Sequence, residues 1–274
     1  MPWPGAEPPV DAGLTRAFAA HLPRGRLAGP LRAYRSVEST QALARAWAQE
    51  GAPEGAVVLA DYQTAGRGQR GRHWTAPAGA ALLFSVILRP RLPVARWPEI
   101  PLAAGCAVAE SLEALSQLSV TLKWPNDVLV AEGKLAGILA EGVATSPSLV
   151  ILGIGVNVSQ QETDWPPNLA GRVRSLAGLG VSVPREELLP ALLAHLDSWY
   201  GVLLDEGFEP VRTAWRRRGH LGTRVALPDG EGTTVDLGPG GELVVRRDDG
   251  RTARLFAAPE DRPERVGAGL PRCC

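Results

Sequence analysis

Hydrophobic and polar positions change their spacing several times along the chain. Residues 1–10 show no period and read as a disordered lead. Leu14, Ala17, Phe18 and Leu22 recur at helical spacing over 11–22, and Pro23, Gly25, Gly29 and Pro30 then break the chain. From residue 31 the pattern becomes mixed. Residues 31–37 are a candidate strand. Ser39 or Thr40 offers an N-cap for a helix reaching about residue 49, with Leu43, Ala46 and Trp47 on one face. Apolar runs predict strands at 57–60 and 81–88, with a Gly/Arg-rich loop at 64–74 between them. Small residues over 100–115 predict a helix packed closely on a sheet. Strands follow at 120–124, 128–130, 135–141 and 149–158, and helices at 185–204 and 208–218. Hairpin-linked strands with helices set apart predict an α+β fold, a mixed sheet with helices, rather than alternating βαβ units.

The spacing changes again near Gly219. Short strands at 224–227, 233–237, 243–247 and 253–257 alternate with Pro-Asp-Gly, Gly-Pro-Gly-Gly and Asp-Asp-Gly turns, which predicts a small β-barrel-like appendage. The last dozen residues read as unstructured.

Charge narrows the function classes. Lys+Arg and Asp+Glu both number 29, so bulk attraction to nucleic acid is not expected, although a local basic patch is compatible with zero net charge. Three cysteines exclude a disulfide scaffold; Cys106 lies in an apolar stretch, and Cys273 and Cys274 lack metal-ligand spacing. No apolar run approaches the roughly 20 residues of a membrane span. The N-terminus has no signal-peptide pattern, so a cytoplasmic location without membrane contact is expected. Only two of the 29 basic residues are lysines, Lys123 and Lys134. Under such a bias toward arginine, a retained lysine suits a site that needs a compact ammonium. Chance placement is the plain alternative.

Four segments can carry chemistry. In Asp61-Tyr-Gln-Thr-Ala-Gly-Arg-Gly-Gln-Arg-Gly-Arg-His-Trp74, Gly66, Gly68 and Gly71 alternate with Arg67, Arg70 and Arg72. Exposed amides and forked guanidiniums suit a polyanion such as a nucleotide triphosphate. The loop is neither a Walker A nor a dinucleotide fingerprint, and an exposed hairpin or RNA-contacting loop is the alternative. Lys123-Trp-Pro-Asn-Asp127 through Lys134 forms a hairpin with a lysine at each flank; Asn126 and Asp127 are also plain turn formers. Asn157 interrupts an apolar strand and, if buried, needs partners that a ligand could supply; a plain strand-end Asn is the alternative. Ser39 and Thr40 cap a helix or bind a small ligand. No catalytic triad, paired carboxylates or metal cluster stands out among the scattered histidines.

Together these segments resemble the biotin–protein ligases. The resemblance rests on Ser39-Thr40, Tyr62 through Trp74, Lys123 through Asp127, Gly133 through Leu139, and Gly153-Ile-Gly-Val-Asn157, in that order, over about residues 31–258. It implies a domain plan of a lead at 1–30, a biotin/lipoate ligase-like catalytic domain at 31–219, an SH3-like domain at 220–258 and a flexible tail at 259–274. It implies ATP with Mg2+ as cofactor, and biotin activated as biotinyl-5′-AMP. The acyl group then passes to a lysine of a biotin carboxyl carrier domain.

Carried over by position, Ser39, Thr40, Gln63, Gly66, Arg67 and Lys134 bind biotin. Arg70, Arg72, Lys123 and Asn126 serve the phosphates, and Trp74 and Asn157 the nucleotide or its metal. Lys134, Arg67 and Asp127 form the catalytic set, with Asp127 orienting the acceptor lysine or the magnesium. No residue cluster is assigned as a metal site of its own. The short lead implies no DNA reading, and a homodimer is compatible with this plan. Gln41 stands where the family often has Asn, and Gln69 where it usually has a second Arg that helps retain the adenylate. The nearest rival is a lipoate or octanoate ligase or transferase of related fold. A non-catalytic nucleotide- or RNA-binding protein is a second, disfavoured by only three Tyr and four Phe as stacking platforms.

Overall fold

The computed structural model describes residues 8–143 and 148–258. Helix α1 (Ala12–Ala19) is capped by Asp11, whose carboxylate accepts the Leu14 N–H at 2.7 Å. Strand β1 (Leu31–Val37), helix α2 (Thr40–Gln49) and strand β2 (Val57–Gln63) follow. A two-stranded ribbon, β3 (Gly66–Arg67) with β4 (His73–Trp74), precedes β5 (Ala81–Leu88). Helix α3 (Glu99–Ser116) leads to β6 (Thr121–Lys123), β7 (Asp127–Val130), β8 (Gly133–Val143) and β9 (Leu149–Asn157). Then come α4 (Arg185–Asp205), α5 (Phe208–Arg218) and four strands: β10 (Arg224–Leu227), β11 (Gly230–Leu237), β12 (Leu243–Arg247) and β13 (Thr252–Leu255).

Seven strands form one sheet in the order β1-β2-β5-β9-β8-β7-β6. The hairpin pattern expected from the sequence holds from β5 onward, but β1 and β2 run parallel. Helix α2 carries the chain back across the sheet between them, and a parallel pair requires such a crossover. Strands β5 and β9 lie centrally and are covered on both faces, which explains their continuous apolar runs.

Each face has its own core. The larger joins alternate strand residues such as Leu82, Phe84, Leu152 and Ile154 to α3, α4 and α5. Leu14, Phe18 and Leu27 also lie in it, so α1 and the residues after it belong to the packed body instead of preceding it as a loose lead. Residues 1–7 and the tail from 259 onward, including Cys273 and Cys274, fall outside the described residues. Cys106 is fully buried, and burial pushes its thiol up to about 12, consistent with a core residue. The smaller core lies under α2 and joins Leu43, Ala44 and Ala48 to Val58, Ile87 and Ile151.

Strands β10 to β13 pair in sequence order as a separate antiparallel sheet. It meets the main body where the Trp124 indole N–H donates to the Gly241 carbonyl at 2.8 Å.

Candidate active site

The smaller core stops at the first turn of α2. Beyond it the sheet face is stripped of side chains. Gly137 and Gly155 are paired across β8 and β9, and the Trp74 indole lies on both. A Cβ at either position would come within 2.9 Å of that ring. The result is a cleft of about 240 Å³ floored by main chain and indole.

Polar groups at the α2 end form a directed chain. Ser85 on β5 is fully buried and donates its hydroxyl to Thr40 Oγ1 at 2.9 Å. Thr40 donates its hydroxyl to Gln63 Oε1 at 3.1 Å and its N–H to the same oxygen at 2.8 Å. Gln63 therefore keeps its amide N–H groups for the cleft. Gln41 has the opposite polarity. Its Nε2 donates to the Leu139 and Ile151 carbonyls at 3.3 Å each, and its buried Oε1 has no partner. Buried Ser39 Oγ and the Trp74 Nε1–H also lack partners among the described residues.

Cations gather at the other end. The Lys134 ammonium lies 2.6 Å from Asp127 Oδ1 and 5.6 Å from the Trp74 ring centroid. Lys123, exposed, lines the rim with Asn126, whose Nδ2 donates to the Ile138 carbonyl at 2.9 Å. Arg67, Gln69 and Arg72 come from the Gly/Arg segment. That segment is a ribbon with a tight tip at Arg70, where φ is 57°. Arg67 lies 3.9 Å from Glu141, which Arg45 also holds at 3.3 Å.

Most of the residues expected from the sequence thus meet in one cleft. Three lie outside its lining. Ser39 is buried behind it, Gly66 pairs with Trp74 within the ribbon, and Arg70 donates to the Ala258 carbonyl. Asn157 reaches the lining, yet protein groups satisfy it. Its Nδ2 donates to the carbonyls of Arg174 (3.0 Å) and Lys134 (3.4 Å), and its Oδ1 accepts from Gln160 at 2.9 Å.

One wall has no counterpart in the motifs. Trp165, Leu169 and Val173 line the cleft from the segment after β9. Main-chain bonds from Lys134 N–H to the Arg172 carbonyl and from Arg174 N–H to the Lys134 carbonyl tie this wall to Lys134, both at 2.9 Å. The available signal was apolar residues four apart in a segment otherwise rich in turn formers.

The profile of the Biotin/lipoate A/B protein ligase family matches residues 33–157. A biotin–[acetyl-CoA-carboxylase] ligase of Paracoccus denitrificans is 33% identical over 205 residues, covering 71% of this chain and 85% of that protein. The chain belongs to the biotin–protein ligases. A bifunctional ligase/repressor BirA of Bacillus spizizenii is 37% identical over 65% of this chain; the chain spans 56% of the length of that relative. Among solved structures, a biotin protein ligase from Aquifex aeolicus in complex with biotin and ATP superposes with a TM-score of 0.73 at 29% identity. It covers 83% of this chain and 95% of the other. The ligase-family profile spans the polar end and both lysines and stops where the segment bearing the apolar wall begins.

Proposed function

We propose that the protein activates biotin with ATP as biotinyl-5′-AMP and transfers the acyl group to a lysine of a biotin carboxyl carrier domain. The observation that carries this reading is the opposed polarity of Gln63 and Gln41. Gln63 presents N–H donors to the cleft, while Gln41 Oε1 is a buried acceptor without a partner. A cyclic urea has one carbonyl and two N–H groups, and so answers both. A dithiolane or alkyl chain leaves them unpaired, at about 1–3 kcal/mol for each buried group. This favours biotin over lipoate or octanoate.

With the urea ring at the α2 end, the acid chain crosses Trp74 toward Lys134. The carboxylate oxygen then attacks the α-phosphorus, and pyrophosphate leaves. Both reactants are anionic, so Lys134, Arg67 and Arg72 offset their repulsion and the charge of the transition state. Trp165, Leu169 and Val173 offer an apolar face for the nucleobase, and Lys123 and Asn126 lie at the phosphate rim. In the second step the acceptor amine loses a proton, against a reference pKa of about 10.4, attacks the acyl carbon, and AMP leaves as the acyl–phosphate bond breaks. In this reading Asp127 takes the proton and Lys134 disfavours the charged amine, a division of roles that their 2.6 Å ion pair supports.

Among the described residues no cluster of three or more His, Cys, Asp or Glu could form a metal cage. The donor set fits magnesium held mainly through substrate phosphates, with Asp127 and Asn126 Oδ1 as protein oxygens. When bound, it neutralises phosphate charge. The β10–β13 sheet is read as an SH3-like unit after a catalytic unit that includes α1. A cytoplasmic location and a homodimer are compatible with this plan; among the described residues no helix is long and apolar enough to cross a membrane.

ATP–pyrophosphate exchange with the purified protein tests the assignment. Biotin is expected to support exchange, and lipoate or octanoate to support little or none. Exchange that prefers lipoate would reverse it. Gln69 gives a second expectation. It lines the cleft as a neutral amide where a guanidinium would add a charge-assisted bond to the adenylate. Gln69→Arg is expected to slow release of biotinyl-AMP roughly tenfold to a hundredfold, the value of one hydrogen bond to a charged group. Equal release rates would show that position 69 does not retain the intermediate.

A further inference from the structure

Resting on the role given to Lys134 above, we propose that Gln160 is a positioning residue for that lysine, acting through the Asn157 amide. Gln160 is completely buried. Its Nε2 donates to Asn157 Oδ1 at 2.9 Å, and its main-chain carbonyl accepts the Ser175 hydroxyl at 2.6 Å. Its Oε1 is buried without a partner. An unanswered carbonyl is a standing cost to folding, and an apolar side chain of similar shape would remove it.

What the amide supplies is direction. An asparagine amide has nearly the same shape when turned over, so packing alone does not choose its orientation. A donor at position 160 reinforces the orientation that the Lys134 and Arg174 carbonyls require, because only Oδ1 can accept from Gln160. The Asn157 Nδ2 must then face the Lys134 and Arg174 carbonyls, to which it donates. Turned over, Oδ1 would confront two carbonyl oxygens.

The two carbonyls lie on either side of a parallel bridge between Lys134 and the segment at Val173. Their clamping holds the lysine main chain against the segment that carries Trp165, Leu169 and Val173. Gln160 is absent from the cleft lining and meets it only through Asn157, yet it determines whether Lys134 and the apolar wall keep one spacing. Displacements of about 1 Å in such sites cost up to a hundredfold in rate.

Gln160→Met keeps the volume and removes both the donor and the orphaned carbonyl. One buried orphan, Gln160 Oε1, is exchanged for another, Asn157 Oδ1, so the midpoint of thermal unfolding is expected to stay within about 4 °C of the parent, the value of the single bond lost. The rate of biotinyl-AMP formation should fall roughly tenfold or more, with KM for biotin unchanged. Hydrogen exchange should quicken at the Lys134 and Arg174 amides and stay as before in β5. Ser175→Ala, in the same buried cluster but without contact to the Asn157 amide, should leave the rate unchanged.

An unchanged rate in a folded Gln160→Met protein would overturn the proposal. So would a rate loss accompanied by a larger drop in midpoint and faster exchange throughout, the signature of a packing role. The exchange readout needs no substrate. A parent protein inactive with biotin would therefore sink the assigned reaction while the clamp is still judged at those two amides.

Discussion

Lys134→Arg is expected to lower biotin-dependent pyrophosphate exchange by roughly a hundredfold or more, the usual cost of losing a transition-state stabiliser. Charge is preserved in this substitution; shape is not. The lysine tip folds over Gly137, with Cε and Nζ 3.0 and 3.1 Å from where a Cβ would stand. From there the ammonium meets Asp127 at 2.6 Å while lying near the indole. A guanidinium is longer, planar and forked, and it cannot place one compact donor at that spot. The check is the exchange rate together with biotin binding by calorimetry, in a variant shown to be folded by circular dichroism. Activity within a factor of about three of the parent would remove Lys134 from the chemistry.

Gly155→Ala should act on the floor of the cleft instead of on its charge. The new methyl carbon would stand 2.9 Å from Cε2 and Cζ2 of Trp74, closer than atoms in contact allow. Sliding toward β8 offers little relief, because the Cζ3 edge of the indole already lies over the Gly137 backbone. The ring must lift into the space meant for ligand. Overpacking of this kind costs about 1–3 kcal/mol, and biotin affinity is expected to fall at least tenfold. Gly201→Ala on α4, where a methyl meets nothing within 4 Å, is the matched control. Unchanged biotin binding in Gly155→Ala would mean that the vitamin does not cross this floor.

Legibility from the sequence followed the strength of local signals. Strands β5 and β9 were plain because burial on both faces leaves uninterrupted apolar runs. The Lys123–Lys134 hairpin and the helix of small residues were equally plain. The parallel pairing of β1 with β2 was not, since periodicity carries no strand direction. The β3–β4 ribbon looks like a loop in the sequence because two-residue strands have no period to show. Asn157 stands out in the sequence as a polar residue closing an apolar run, and it is the last residue of β9. Its partners are protein groups contributed by residues 134, 160 and 174, two of them outside any motif. The apolar wall at 165–173 escaped notice because its side chains converge only through long-range main-chain pairing with Lys134.

The bare floor at positions 137, 153 and 155 also limits how such a site can diverge. Bare backbone offers no side chain to trim, so any exchange there is an intrusion. A change in ligand preference must come from the periphery, by altering the amides at 41 and 63, the ribbon tip or the 165–173 wall. Libraries aimed at accepting biotin analogues should therefore vary those margins and keep the glycines as they are.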